Sequence, residues 1–126
     1  IHLSKWHEAR RQWAYRYNEH LKDIAEITIP LEQKHNYHIY HQYTLIAENR
    51  DKLRDYLREK GIGSDTYYPL PLHLQECYKD LGYKKGDLPV SERLAGMAIS
   101  LPVFPEMTAA EHDYVCETIR EFYKKK

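Results

Sequence analysis

The stretch YHIYHQYTLIA, residues 37–47, alternates apolar and polar side chains and decides the fold class of the chain. Four of its apolar residues are separated by even numbers of positions: Tyr37, Ile39, Tyr43 and Leu45. Because successive side chains of a strand point to opposite sides, these four share one face. The stretch is also rich in residues that favour strands. It therefore predicts a β-strand with one buried face.

Amphipathic helices are predicted on both sides of this strand. Before it, apolar residues recur at steps near three, four and seven, which is typical of one long helix. Its stripe consists of Leu3, Trp6, Trp13, Tyr17, Leu21 and Ile24. After the strand, Asn49 is expected to cap a helix that Gly61 ends in a left-handed conformation.

Two more helices follow towards the end of the chain. Pro89 is suited to the first turn of a helix, which we expect to turn three apolar side chains inward: Val90, Leu94 and Met97. Thr108 and Glu111 have the spacing of a capping box at the start of the last helix.

The order of these elements predicts an α+β fold in a single domain. Besides residues 38–47, short strands are expected near 27–29, 64–68 and 98–103. Together they predict a small, mostly antiparallel sheet with helices packed mainly on one face, preceded by a long helix.

Composition excludes several classes of partner. Lys and Arg number 19, as do Asp and Glu, so no net charge attracts nucleic acid or an anionic membrane. No apolar run approaches the roughly 20 residues of a membrane span. Cys77 and Cys116 lack metal or disulfide spacing and are expected to be small buried apolar residues. These features predict a cytoplasmic protein, and the start at Ile1, inside a helical pattern, predicts a piece of a longer one.

The histidines do not predict a metal site. On a strand, His38 would point away from His35 and His41, and the latter two would lie roughly 20 Å apart. His2, His7 and His20 fall among charged helix positions and are expected at the surface. No complete set of catalytic residues is present in the sequence.

The phrase TYYPLPLHLQ, residues 66–75, is stiffened by two prolines, which favour extended geometry. Such a segment could hold Tyr68 and His73 towards a ligand without an ordering cost on binding. Alternatively, the tyrosine rings pack the prolines against the sheet and the histidine bonds a backbone carbonyl. The residues alone leave both interpretations open.

Three long phrases resemble the DegT/DnrJ/StrS family of sugar aminotransferases, which depend on pyridoxal phosphate. KWHEARRQWAYRYNEHL is similar to the family's long helix, and YHIYHQYTLIAENRDKLRDYLREKGIG to a strand and helix, with His41 at the family's strand histidine. The phrases YPLPLHLQ and LPVFPEMT resemble most of the remainder. Tyr67 departs from the pattern, because many members have histidine there.

The resemblance implies that residues 1–126 form one domain, the C-terminal small domain of a fold type I aminotransferase. Residues 1–24 would be the connecting helix and residues 25–126 the α+β part. The lysine that binds pyridoxal phosphate would then lie upstream, in the large domain. Lysines such as Lys52, Lys60 and Lys84 stand in charged contexts, so this chain alone is expected to bind no cofactor and to be inactive.

For the full-length protein, the resemblance implies transfer of an amino group, from glutamate, to a keto sugar linked to a nucleotide. Tyr67, Tyr68 and His73 would contact this substrate. The enzyme would be a homodimer, with Trp6, Trp13 and Tyr17 packed against the large domain or a second subunit. The alternative is a non-catalytic dimerisation module or a sensory or regulatory module on the same fold.

Overall fold

The computed structural model of the protein describes residues 2–124. Its regular elements are four helices, three strands and two 3₁₀ helices. The helices are α1 (Leu3–Leu21), α2 (Arg50–Glu59), α3 (Pro89–Met97) and α4 (Ala109–Lys124). The strands are β1 (Ile27–Thr28), β2 (Tyr43–Ala47) and β3 (Ala98–Leu101), and the 3₁₀ helices are Leu72–Leu74 and Glu76–Leu81.

The strands form an antiparallel sheet in the order β1-β2-β3. Along β2, buried side chains alternate with half-buried ones, as the period of two requires. The register places Tyr43 opposite Leu101 and Thr44 opposite Ser100. The predicted α+β fold, with its antiparallel sheet and long first helix, is confirmed.

β2 begins later than predicted, and residues 29–42 form a loop instead. Tyr40 takes a left-handed backbone conformation, with φ of 46°, which no strand can continue through. Arg11 of α1 holds the loop: its guanidinium donates to Glu32 Oε1 at 2.6 Å and to the His38 carbonyl at 2.5 Å. The early part of the alternating stretch therefore packs against α1 rather than pairing in the sheet.

The strand predicted at residues 64–68 is reduced to one bridge. The Asp65 N–H donates to the Ser100 carbonyl at 3.1 Å, and the Ser100 N–H donates back at 2.8 Å. Beyond this point Pro69 offers no N–H for a ladder. The strand predicted at 98–103 ends at Leu101 for the same reason, because Pro102 follows.

The core lies on the face of the sheet that carries Tyr43, where α4 packs against both α1 and α2. Two fully buried tyrosines direct their hydroxyls to acceptors: Tyr17 donates to the Pro102 carbonyl at 2.9 Å, and Tyr43 to Asn18 Oδ1 at 2.7 Å. A buried hydroxyl without a partner would be costly, so these bonds allow tyrosine to serve as a core residue.

Two of three helix ends predicted from the sequence are confirmed. Gly61 has a φ of 75° and ends α2 as predicted. The capping box is confirmed, with the Thr108 N–H donating to Glu111 Oε2 at 2.8 Å and the Glu111 N–H donating to Thr108 Oγ1 at 3.3 Å. Asn49 precedes α2, but its backbone is left-handed and its side chain makes no capping bond, so that expected cap is wrong.

The inward face of α3 was predicted wrongly for Val90 and Leu94, whereas Met97 is half-buried. Val90 is 64% exposed and Leu94 is 37% exposed, and the helix contacts the sheet through the smaller Ala95 instead. Cys77 was also expected to be buried and is exposed in the second 3₁₀ helix, whereas Cys116 is buried as predicted. The apolar character of a residue did not by itself show whether its side chain is buried or exposed.

The stripe of α1 divides into two parts. Tyr17 is fully buried within this chain, so the expectation that it packs on another domain is wrong. Trp13 is half-buried and stacks on His112, with 5.5 Å between ring centroids. Leu3 and Trp6, at the start of the helix, are exposed. Packing of this end against another surface stays a prediction.

None of the helices within residues 2–124 combines the length and the apolar character needed to cross a bilayer.

Candidate functional site

An apolar cleft of about 470 Å³ opens on the side of the sheet away from the core. Its floor includes Thr44 and Ser100, which are paired across β2 and β3 and whose hydroxyls are 2.7 Å apart. Its walls are α3 and the segment 65–72. The side chains that face it from these walls include Tyr67, Tyr68, Leu72, Ser91 and Leu94.

A second cleft of about 360 Å³ adjoins the first and is more polar. The two share four lining residues: Gln42, Asp65, Tyr67 and Ser100. His41 and Ser64 line only the second. Ser64 Oγ is buried and makes no hydrogen bond within the described part of the chain.

Arg50 fixes the segment that carries the tyrosines. Its side chain is buried, and Nη1 donates to Thr66 Oγ1 at 3.0 Å and to the Ala98 carbonyl at 2.7 Å. With the bridge at Asp65, this contact attaches the segment to the edge of β3. Sequence reasoning missed Arg50, because an arginine in the first turn of a charged helix carries no sign of burial.

Tyr67 and Tyr68 both line a cleft and are both exposed. Tyr67 lines both clefts and is 50% exposed, whereas Tyr68 lines the apolar cleft and is 78% exposed. Pro71 is buried beside them and also lines the apolar cleft. Neither ring is packed away, which differs from the alternative in which the rings cover the prolines. Their contact with substrate stays a prediction.

His73 lies differently from the two tyrosines. Its ring is buried and lies 3.1 Å from Glu92 Oε1, measured from Nε2, and it lines neither cleft. The Gly86 N–H donates to the same carboxylate at 2.8 Å, and with the His73 bond it lowers the pKa of Glu92. His73 thus connects the turn after Pro71 to α3. Direct contact of His73 with substrate stays a prediction.

The clefts offer a defined chemistry. The apolar cleft presents aromatic and aliphatic side chains, on which a sugar ring or a base can stack. The polar cleft presents hydroxyls, an amide and the Asp65 carboxylate, one oxygen of which accepts the Thr66 N–H at 2.7 Å. Such groups suit the hydroxyls of a sugar.

The chain does not fit pyridoxal phosphate, the cofactor that the resemblance implies. Each lysine within residues 2–124 is exposed. A lysine that forms an imine at neutral pH needs a depressed pKa, which burial or a cationic neighbour supplies. No reaction step through this cofactor can therefore be derived from the described residues.

The three histidines at positions 35, 38 and 41 lie in or beside the loop rather than on a strand. The alternation used to separate them therefore does not apply. His38 instead has a local role, because its Nδ1 accepts the Tyr40 N–H at 2.9 Å and supports the left-handed turn there.

Comparison with known proteins matches residues 1–120 to the DegT/DnrJ/EryC1/StrS aminotransferase family. The pleiotropic regulatory protein of Geobacillus stearothermophilus is 46% identical over 125 residues, which are 98% of this chain and 34% of that protein. The dTDP-3-amino-3,4,6-trideoxy-alpha-D-glucose transaminase of Streptomyces venezuelae is 31% identical over 124 residues, covering 98% of this chain and 33% of the enzyme.

A solved structure gives the same result for the fold. The crystal structure of S. venezuelae DesV in complex with a ketimine intermediate has a TM-score of 0.93 and 31% identity, covering 98% of this chain and 33% of that one. The chain thus spans about a third of the length of the proteins it matches. By the match over residues 1–120, the chain belongs to the DegT/DnrJ/EryC1/StrS aminotransferase family.

Proposed function

We propose that this chain is the C-terminal small domain of a nucleotide-sugar aminotransferase. Residues 1–24 would form the connecting helix and residues 25–126 the α+β part. The full-length protein would transfer an amino group from glutamate to a keto sugar linked to a nucleotide. Membership of the family supports this proposal, as does the relative named as a transaminase of a dTDP-linked amino sugar.

The observation that carries the proposal is the pair of joined clefts with Tyr67 at their junction. A tyrosine at the junction can offer its ring to one end of a ligand and its hydroxyl to the other. The pairing of an apolar cleft with a polar one fits a molecule that has both a flat apolar part and several hydroxyls. A nucleotide-linked sugar has both.

The chemistry of amino transfer would come from outside this chain. Pyridoxal phosphate acts as an electron sink when bound, and the lysine that holds it would belong to the large domain. The described residues would bind and orient the sugar, and His73 and Arg50 would hold the segment 65–72 in place. The chain alone is proposed to be inactive.

The full-length enzyme is proposed to be a cytoplasmic homodimer. Exposed Leu3 and Trp6 at the start of α1 support a further packing surface, because exposed large apolar side chains that lie together mark interfaces.

The experiment is an assay of the full-length protein with glutamate and a panel of nucleotide-linked keto sugars, in which 2-oxoglutarate is measured. We expect turnover with at least one sugar, and a higher KM for Tyr67→Ala. Tyr78→Ala is the matched control, because Tyr78 is exposed and lines neither cleft. A protein that binds such a sugar without turnover would favour the sensory or regulatory alternative.

A further inference from the structure

Three metal-ligating side chains meet between α1 and α4, away from both clefts. His112 and Cys116 are four residues apart on α4 and therefore lie on one face of that helix, one turn apart. His20 belongs to the last turn of α1. One potential ligand atom from each residue lies within 4.8 Å of the other two.

Two members of this group are deeply buried. His112 is fully buried and Cys116 is 1% exposed, whereas His20 is half-buried. The His112 ring lies between Trp13 and Tyr17, with centroids 5.5 and 4.0 Å away. A neutral imidazole keeps a lone pair for a metal.

The two ring nitrogens of His112 have different surroundings. Within residues 2–124, its Nε2 has no hydrogen-bond partner. Its Nδ1 lies 3.7 Å from Cys116 Sγ, within hydrogen-bonding range for sulfur, and 3.6 Å from Asp113 Oδ1. Nδ1 is therefore the nitrogen beside the Cys116 thiol, and it can exchange that contact for a metal ion while Nε2 keeps the ring proton.

The separations are close to those of a tetrahedral site. With zinc–sulfur near 2.3 Å and zinc–nitrogen near 2.05 Å, neighbouring ligand atoms lie about 3.3–3.6 Å apart. The pair on α4, at 3.7 Å, already nearly meets this requirement. His20 is the ligand that has to approach, and as a half-buried side chain it is the one free to change rotamer.

We propose that His20, His112 and Cys116 bind one Zn²⁺ ion between α1 and α4. Two imidazoles and one thiolate are a donor set that zinc prefers, and water from the His20 side completes four-coordination. Binding exchanges the thiol proton of Cys116 for the metal and releases that proton to solvent. The ion fastens the first helix to the last.

The charges around the site allow a cation. Arg16 and Arg120 are the nearby cationic groups, and each is paired with a carboxylate. Arg16 Nη2 lies 2.8 Å from Asp113 Oδ1, and Arg120 Nη2 lies 2.5 Å from Asp23 Oδ1. These pairs offset the repulsion that an arginine alone would exert on Zn²⁺.

The test is titration of the protein that carries this chain with zinc chloride, followed by calorimetry and metal analysis. We expect His20→Ala and Cys116→Ser to bind at least about tenfold more weakly than the unchanged protein. His7→Ala and Cys77→Ser are the matched controls, because they remove a histidine from the same helix and the other cysteine. Both should bind like the unchanged protein.

Thermal melting provides a second readout. Zinc should raise the melting temperature of the unchanged protein and of both controls, and should raise that of His20→Ala less at the same zinc concentration. If Cys116→Ser fails to fold, His20→Ala still tests the proposal. This variant should fold, because His20 is half-buried and lies at the end of α1. The proposal is overturned if His20→Ala and the unchanged protein bind zinc equally well and respond equally to zinc in melting. It is also overturned if neither protein binds zinc.

Discussion

The carboxylate of Glu92 accepts a hydrogen bond from the buried ring of His73, with 3.1 Å between Oε1 and Nε2. The same carboxylate receives the N–H groups of Gly86 and Leu88, at 2.8 and 3.4 Å. One side chain of α3 therefore organises both the loop before the helix and the 3₁₀ turn that follows the prolines. This relationship positions the wall of the apolar cleft.

Removal of the His73 ring should therefore act first on stability. In His73→Ala, Glu92 loses a buried partner, and the free energy of unfolding should fall by about 1–3 kcal/mol. Because the turn at Leu72 lines the apolar cleft, KM of the full-length enzyme should rise in the same variant. Denaturant unfolding and steady-state kinetics measure the two effects. A raised KM with unchanged stability would instead support direct substrate contact by His73.

Arg50 should matter more than its neighbours on the same helix. Arg50→Ala leaves the Ala98 carbonyl and Thr66 hydroxyl without their donor and should lower the free energy of unfolding by about 1–3 kcal/mol. Arg54→Ala is the control, because its contact with Asp51 is a surface ion pair worth about 0–1 kcal/mol. Equal losses in the two variants, measured by denaturant unfolding, would contradict this account.

The sequence predicted those parts of the fold that local rules determine. The β2–α2 unit, the stop at Gly61 and the Thr108 capping box depend on neighbours within a few residues. The loop at 29–42 could not be predicted this way. Its conformation depends on Arg11, which is more than 20 residues away along the chain from Glu32 and His38. A period-of-two pattern does not reveal such a contact.

The candidate site was predicted unevenly for a related reason. The two prolines indicated a stiff segment, and Tyr67 and Tyr68 lie on the clefts, but the burial of His73 depends on Glu92, 19 residues later. Arg50 gave no signal, because the backbone carbonyl and the hydroxyl that hold it come from distant segments, and its local partner Asp51 is an ordinary neighbour on a charged helix. Contacts of this kind need the tertiary fold.

Glu32 should give an acid-dependent contribution to stability. Hydrogen bonds from Arg11, the His38 N–H and Tyr15 lower the pKa of Glu32 to about 2, below its ordinary value of 4.5. Because the pKa of Glu32 is lower in the folded state than in the unfolded state, its ionised carboxylate stabilises the fold at pH values above 4.5. This stabilisation is lost as the pH falls from 4.5 towards 2, where the carboxylate takes up a proton. Glu32→Gln should therefore melt at a lower temperature than the unchanged protein at pH 7.

The difference in melting temperature between the two proteins should shrink as the pH falls below 4.5. Glu19→Gln serves as the control, because Glu19 pairs with Lys22 in an exposed i, i+3 contact worth little. If the melting temperatures of Glu32→Gln and the unchanged protein differ by the same amount from pH 7 to pH 3, the charge of the Glu32 carboxylate does not stabilise the loop.

The isolated chain should form no imine with pyridoxal phosphate. Its described lysines are exposed, whereas a lysine that forms an imine is held in a desolvating site. Incubation with the cofactor, reduction with borohydride and mass spectrometry should give no stoichiometric adduct at a single lysine. The full-length protein, treated identically, should give one adduct. A single stoichiometric adduct on the isolated chain would show that the cofactor site does not need the large domain.

Tyr68 should affect binding without affecting folding. Its side chain is 78% exposed, so Tyr68→Phe should leave the melting temperature unchanged. In the full-length enzyme the lost hydroxyl should weaken substrate binding by about 0.5–1.5 kcal/mol, seen as a higher KM. Tyr78→Phe, at an exposed site outside both clefts, should change neither quantity. If Tyr68→Phe keeps the KM and kcat of the unchanged enzyme, and Tyr68→Ala does so too, the exposed ring is not a substrate contact. That outcome would limit the aromatic contact of the segment to Tyr67, which lines both clefts and which Tyr67→Ala tests separately.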